Sequence, residues 1–569
     1  MSFPPRGLPH AGPPLTVAVV APRSSLTRVV SVCALALLAA ACPGDPQSQP
    51  GRGGETTPTA DAARPVVGGV LRVTLAADVD SLDPHLAARP SSWWFARALH
   101  RGLYAFPDLP APEGAQPEPD LAEAMPELSA SGRVATVRLR EGVRFSDEQL
   151  VTAGAVRASL QRLLGTGVGI APYLVPRSEV RGGIERVDVI DDRTIRIRLA
   201  GPANDLVWLL AHPQAAIVRA GAPAPPARAG ALAGAGPYRL ATYRPERRIV
   251  LERNPAWDRE RDQVRGAWVD RIDARVGVDR AEARADVATG TADLIVDPGP
   301  PDEPAGPTPT GARIVPAATT CTRYLLLDTR VSPLHRGRAR LAIAHALDRR
   351  AFVADQTGTA APRLLPPTVV GSASDEVLAE DLVRARELLA DAGLNDGFVV
   401  DLLVGDSARD RRDSGRVATA LARVGIRARV RTVPAATLYP LHYADPGERI
   451  AMGIATWCAD WPGRAGRGVL MPLADPSRLG EQRVPARPGA GGATARRAVD
   501  AALRAPGADQ IAAFWAAADA AVVATGVLIP LSWTDEEVLL GSRVEGWKGS
   551  PMFPRGDPTG VWVGVGDGS

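Results

Sequence analysis

Trp457-Cys458-Ala459-Asp460-Trp461 sets a cysteine and a carboxylate between two indoles, a combination that suits neither an ordinary core strand nor a solvated loop. The segment reads as a binding site. Asp460 can pair with a cation and Trp457 and Trp461 can wall a pocket, the usual division between a few polar groups and a broad apolar lining. Each residue also has a plainer reading. Asp460 could cap a turn, and the two Trp could pack in a core, as Trp93 and Trp94 are expected to do.

Outward from this segment the chain alternates strand-like and helix-like stretches. Val70-Leu71-Arg72-Val73-Thr74-Leu75 has the period of two of a strand and runs into Ser81-Leu82-Asp83-Pro84, while residues 93–104 have helical spacing. Pro119-Asp120-Leu121-Ala122-Glu123 precedes an alternating stretch from Val137 through Gly142-Val143-Arg144-Phe145-Ser146-Asp147, with Thr152 placed to cap the next helix. Further on come Gly234-Ala235-Gly236-Pro237-Tyr238, then Leu251-Glu252-Arg253-Asn254-Pro255, and Cys321-Thr322-Arg323-Tyr324. Residues 340–353 and 385–398 then have the pattern of helices that end in Ala-Leu-Asp-Arg and in an Asp-Gly turn, and residues 546–562 fit a closing strand.

In this order, over about residues 67–562, the set resembles the oligopeptide- and dipeptide-binding proteins of ABC importers, solute-binding protein family 5. The resemblance implies an α/β, periplasmic-binding-protein-like fold of class II type, with two lobes and an extra domain. Residues 67–94, 218–320 and 531–569 would form the discontinuous first lobe, 95–217 the extra domain and 321–530 the second lobe. The segment at residues 234–240 would be the hinge strand. Asp460 would receive the ligand's α-ammonium in the interlobe cleft, with Trp457, Cys458 and Trp461 beside it, and Cys321 and Cys458 would be joined, the alternative being two buried thiols. Relatives carry an Arg shortly before the Trp-Cys-Ala-Asp segment that meets the ligand carboxylate. Here that stretch is Gly453-Ile454-Ala455-Thr456, which leaves Arg449 as a substitute.

The N-terminus carries an address. Arg23 and Arg28 precede an apolar run over residues 29–41 that ends in Leu38-Ala39-Ala40-Ala41-Cys42, which resembles a bacterial lipoprotein signal. Residues 1–42 would be removed as far as Cys42, which would take the lipid, and 43–66 would be a disordered tether. A short membrane anchor is the weaker alternative, because the 13-residue run falls below the ~17–25 needed to span. Residues 1–16 are Pro-rich and unlike a signal, so the start is expected downstream.

The remaining composition mostly excludes. Lys and Arg number 66 against 63 Asp and Glu, so no field exists for wrapping nucleic acid. The 7 His residues, His345 included, lie apart from any metal-spaced partner, and no nucleophile elbow, zinc-protease or phosphate-loop motif occurs. The expectation is therefore a monomeric, lipid-anchored receptor at the extracytoplasmic face of the cell membrane. It needs no cofactor or metal and passes a peptide or peptide-like solute to a permease and its ATPase. The alternatives are a non-peptide solute (a metal chelate, sugar or opine) or a signalling or chaperone lipoprotein of the same fold.

Overall fold

The computed structural model describes residues 64–564 apart from 177–181, 220, 222–232, 300–306, 435–436, 438–449, 475–492 and 506. The expected signal, Cys42, nearly all of the tether and Arg449 lie outside the described residues.

Among the described residues the main element is an 11-stranded mixed sheet, ten strands in one path and Thr359–Ala360 paired beside it with Leu528–Leu540. One half holds Val70–Leu75 between Arg271–Val276 and Leu294–Asp297, both parallel to it, with Arg248–Arg253 and Tyr238–Arg244 beyond. The other half holds Phe398–Gly405 between Ile426–Val433 and Met452–Cys458, again parallel. Strands buried on both faces read as continuous apolar runs, and Leu402, Val404 and Ile454 are accordingly buried.

The two halves meet through a pair of long antiparallel strands, Arg313–Leu327 and Leu528–Leu540. Their register slips between Ala318 and Cys321, so that Thr319 and Thr320 bulge out of the ladder, the kind of irregularity that bends a strand beside a functional site. This is the two-lobe, periplasmic-binding-protein-like architecture. Tyr238–Arg244, which continues the segment at residues 234–240, is an outer edge strand of the sheet.

The stretch expected to be helical over residues 93–104 divides. Pro90–Leu99 is a helix with proline in its first turn, where its missing N–H costs nothing, and the chain leaves it at His100 in an extended conformation. Gly102 then lets the chain pass close to itself, since a Cβ there would sit 2.8 Å from the Tyr104 carbonyl oxygen, and Tyr104–Ala105 is already a short strand.

The extra domain is a four-stranded antiparallel sheet of Glu127–Leu128, Val134–Arg138, Thr194–Leu199 and Ile184–Asp191, in that spatial order. The helix Ala153–Leu164 accompanies it, and its Ala155 N–H donates to the Thr152 hydroxyl at 3.3 Å. Asp120, from the Pro-Asp-Leu-Ala-Glu run, is buried in an ion-pair quartet. It meets Arg101 at 2.7 Å and Arg265 at 2.8 Å, while Asp262 lies 3.3 Å from Arg265. Burial alone would raise the Asp262 pKa, but the Arg265 and Arg101 guanidinium groups hold it well below the usual carboxylate range. With Asp83 held by Arg162, these pairs tie residues 101–162 to residues 83 and 262–265.

Candidate functional site

Met452–Cys458 lies between Phe398–Gly405 and Arg313–Leu327, with Cys458 directly opposite Cys321 and Thr456 opposite Arg323. Side chains alternate across a strand, so Thr456 and Cys458 share one face and Trp457 takes the other. The two cysteines are joined in a disulfide, which forms the floor of a cleft. Just before it, the Thr320 hydroxyl donates to the Ala459 carbonyl at 2.7 Å and the Thr319 hydroxyl to the Thr534 carbonyl at 2.5 Å, which fixes the bulge against both neighbours.

Two chambers open on this floor. The first, about 460 Å³, is lined from one side by Asp460 and Trp461 and from the other by Trp93, Trp94, Met552 and Phe553. The second, about 520 Å³, is lined by Thr456, Arg323, Arg409, Asp535 and others, and it shares Cys321, Cys458, Thr319, Glu536 and Arg555 with the first. Together they make one cleft, with an aromatic end and a charged end.

The residues singled out by sequence separate here. Asp460, Cys458 and Trp461 line the first chamber. Trp461 is fully buried, lies edge-on to Tyr173 at 5.1 Å between centroids, and donates its indole N–H to the Arg464 carbonyl at 3.2 Å. Trp457 lines neither chamber; it is half-buried against the core, with its N–H on the Gly468 carbonyl at 2.9 Å. Strand alternation is the reason. Trp93 and Trp94 are core residues as expected and are also cleft wall.

His212 supports this corner from behind. Its ring packs edge-on to Trp93 at 4.6 Å and turns toward the backbone of Asp460. Its Nδ1 accepts from the Gln214 N–H at 3.1 Å, and burial pushes its pKa down to about 3, so the ring is neutral at physiological pH. Among the described residues no group of three His, Cys, Asp or Glu could hold a metal ion, and no helix is long and apolar enough to cross a membrane.

The charged end was not foreseen. Ser407 caps the helix Ala408–Ala422 through its hydroxyl, which accepts from the Asp410 N–H at 3.0 Å. Arg323 is neutralised by Asp410 and Asp413, each at 2.5 Å. Arg409 beside it is different: its Nε and one terminal nitrogen are buried without a hydrogen-bond partner among the described residues, and Nε lies 3.9 Å from Asp413. Burial and the neighbouring Arg323 charge push its pKa down to about 10, the mark of a guanidinium short of counter-charge.

Met552 and Phe553 belong to residues 546–562, expected as a closing strand. Only Val544–Glu545 and Trp562–Val563 pair. Pro551, Pro554 and Pro558 cannot donate ladder bonds, and the chain between them is held on Trp94 and Arg97 through Gly556 and Asp557 and faces the cleft at Met552 and Phe553.

Comparison with known proteins agrees with this architecture. The chain is 27% identical over 385 residues to a glutathione-binding protein, GsiB, of Escherichia coli O1:K1 / APEC, covering 64% of this chain and 69% of that one. It superposes on the clavulanic acid biosynthesis oligopeptide binding protein 2 with a TM-score of 0.74 at 27% identity, over 88% of this chain and 96% of that chain. The periplasmic binding protein DppA from Helicobacter pylori, in complex with the peptide STSA, matches in fold with a TM-score of 0.65 at 21% identity, covering 88% and 98%. Each of these relatives is named as a binding protein. Residues 116–466, more than half of the 569, match the model of bacterial extracellular solute-binding proteins, family 5 Middle. The chain belongs to family 5 of the bacterial extracellular solute-binding proteins.

Proposed function

We propose that this protein is the receptor of an ABC importer, held to the membrane by lipid on Cys42, and that it captures peptides or peptide-like solutes between its lobes for a permease and its ATPase. Residues 67–94, 218–320 and 531–569 make the first lobe in this reading, 95–217 the extra domain packed on it, and 321–530 the second lobe. The observation that carries the reading is the cleft at the strand crossing, with Asp460 in its aromatic chamber and Arg409 in its charged one. A zwitterion laid across the disulfide floor would put its ammonium at Asp460 and its carboxylate toward Arg409, two of whose nitrogens lack acceptors among the described residues. Charge-assisted bonds of this kind are strong where closure excludes water. Arg409 would then supply the function expected of an Arg near Ile454. The names of the two relatives that are 27% identical, one binding glutathione and one oligopeptides, support a peptide class of ligand.

Asp460→Asn tests the ammonium site. Truncating one partner of a desolvated pair costs ~2–5 kcal/mol, so affinity should fall roughly 30-fold or more. An N-acetylated peptide should bind wild type about as poorly as the free peptide binds the variant. Equal calorimetric affinity for acetylated and free peptide would leave Asp460 a structural residue.

A further inference from the structure

We propose that the first chamber selects solutes whose ammonium-bearing carbon carries an apolar or aromatic side chain; this rests on Asp460 holding that ammonium. Three indoles wall the chamber, and each N–H is already committed. Trp93 donates to the Ala87 carbonyl at 2.8 Å, Trp94 to the Gly556 carbonyl at 2.7 Å and Trp461 to the Arg464 carbonyl at 3.2 Å. What these rings turn to the cleft is therefore carbon, with no donor for a polar side chain.

The side chains beside Trp93 and Trp94 are of the same kind. Met552 and Phe553 complete that wall, and Phe553 is held in place by the Arg97 guanidinium, 5.4 Å from its ring centroid and paired with Asp557 at 2.8 Å. The cationic side chains that line the chamber face acidic neighbours: Arg555 lies 3.0 Å from Glu536 and Arg89 3.7 Å from Asp297. A polar side chain entering here would lose its water and gain little, a penalty that apolar groups do not carry. The walls are rigid before the ligand arrives, since buried indoles fixed by hydrogen bonds lose little entropy on binding.

Calorimetry with tripeptides X-Ala-Ala, where X is Phe, Leu, Ser or Asp, tests this. Full burial of a Leu or Phe side chain gives a preference of roughly ten- to a hundredfold over Ser, and the Asp peptide should bind weakest. Equal affinities across the panel would overturn the selectivity and leave ammonium capture standing. If no member binds, both readings fall. Met552→Ser should weaken Phe-Ala-Ala at least fivefold more than Ser-Ala-Ala, with an unchanged circular-dichroism spectrum as the check on folding. An equal loss for both peptides would overturn the assignment of this wall to the side chain.

Discussion

Replacing Asp205 by Asn should favour the open receptor. Arg467, just past the Trp-Cys-Ala-Asp-Trp segment, makes a two-pronged ion pair with Asp205, Nε to Oδ2 at 2.5 Å and a terminal nitrogen to Oδ1 at 2.8 Å. The two residues are 0% and 1% exposed. Arg464 reinforces the contact by donating to the Asn204 carbonyl at 2.8 Å and stacking 4.4 Å from the Trp208 ring. In the proposed division this joins the second lobe to the extra domain, so any opening that separates those two bodies breaks it. Asn keeps the shape but removes the charge, which strands Arg467 in the closed form; breaking one side of a buried pair costs ~3–5 kcal/mol. In the open form Arg467 reaches water, so the cost falls on closure alone. Affinity for Phe-Ala-Ala should drop by about two to three and a half orders of magnitude. The radius of gyration from solution X-ray scattering with saturating peptide should then stay at the open value. The double variant Asp205→Leu/Arg467→Leu removes both charges and should recover most of the affinity, because apolar pairs replace buried ion pairs at little cost. A single variant that binds and compacts like wild type, or a double variant as weak as the single, would refute the latch.

Other outcomes follow from single groups. Burial holds the His212 pKa at about 3, below its unfolded value near 6.5. The native state thus binds fewer protons than the unfolded state between those values, and stability is lost as pH falls. The margin of wild type over His212→Gln, from urea melts, should therefore shrink by about 1.4 kcal/mol per pH unit from pH 6.5 toward 3; a constant margin would place a charged ring there. The Cys321–Cys458 bridge spans a sequence separation of 137, so the double Ser variant should lose up to roughly 5 kcal/mol of unfolding free energy, and a loss under about 1 would mean the bridge barely restrains the unfolded chain. Metabolic labelling with a radioactive fatty acid should mark wild type and not Cys42→Ala; label on the variant would end the lipoprotein reading.

What the sequence made legible depended on how local the cause was. The ordered motifs reached the architecture because turns, caps and strand periods are written in neighbouring residues, as Thr152 and residues 70–75 illustrate. They were silent on roles set by distant partners. Asp120 reads as a signature residue, yet its work is in a quartet with Arg101, Asp262 and Arg265. Trp457 and Trp461 look equivalent in the motif; strand alternation sends Trp457 away from the cleft, while Trp461, past the strand end, lines it. Arg409 lies 51 residues before Asp460 in a stretch crowded with other Arg and Asp residues, and only the fold singles it out. The Pro-Met-Phe-Pro run at residues 551–554 carried a signal that could have been read, since its prolines argue against a strand and its large apolar residues need a cover.

The position of Leu528–Leu540 has a consequence for assembly. This strand lies between Arg313–Leu327 and Leu294–Asp297, although both are complete more than 200 residues earlier in the chain. Until it is made, each half of the sheet presents an unpaired edge, a template for pairing with other chains. Pairings of such long sequence separation form slowly, because loop closure must precede any gain from contact. A chain cut before Leu528 would therefore be two sticky half-sheets rather than a weaker receptor. The last long strand is the piece that covers both of these inner edges.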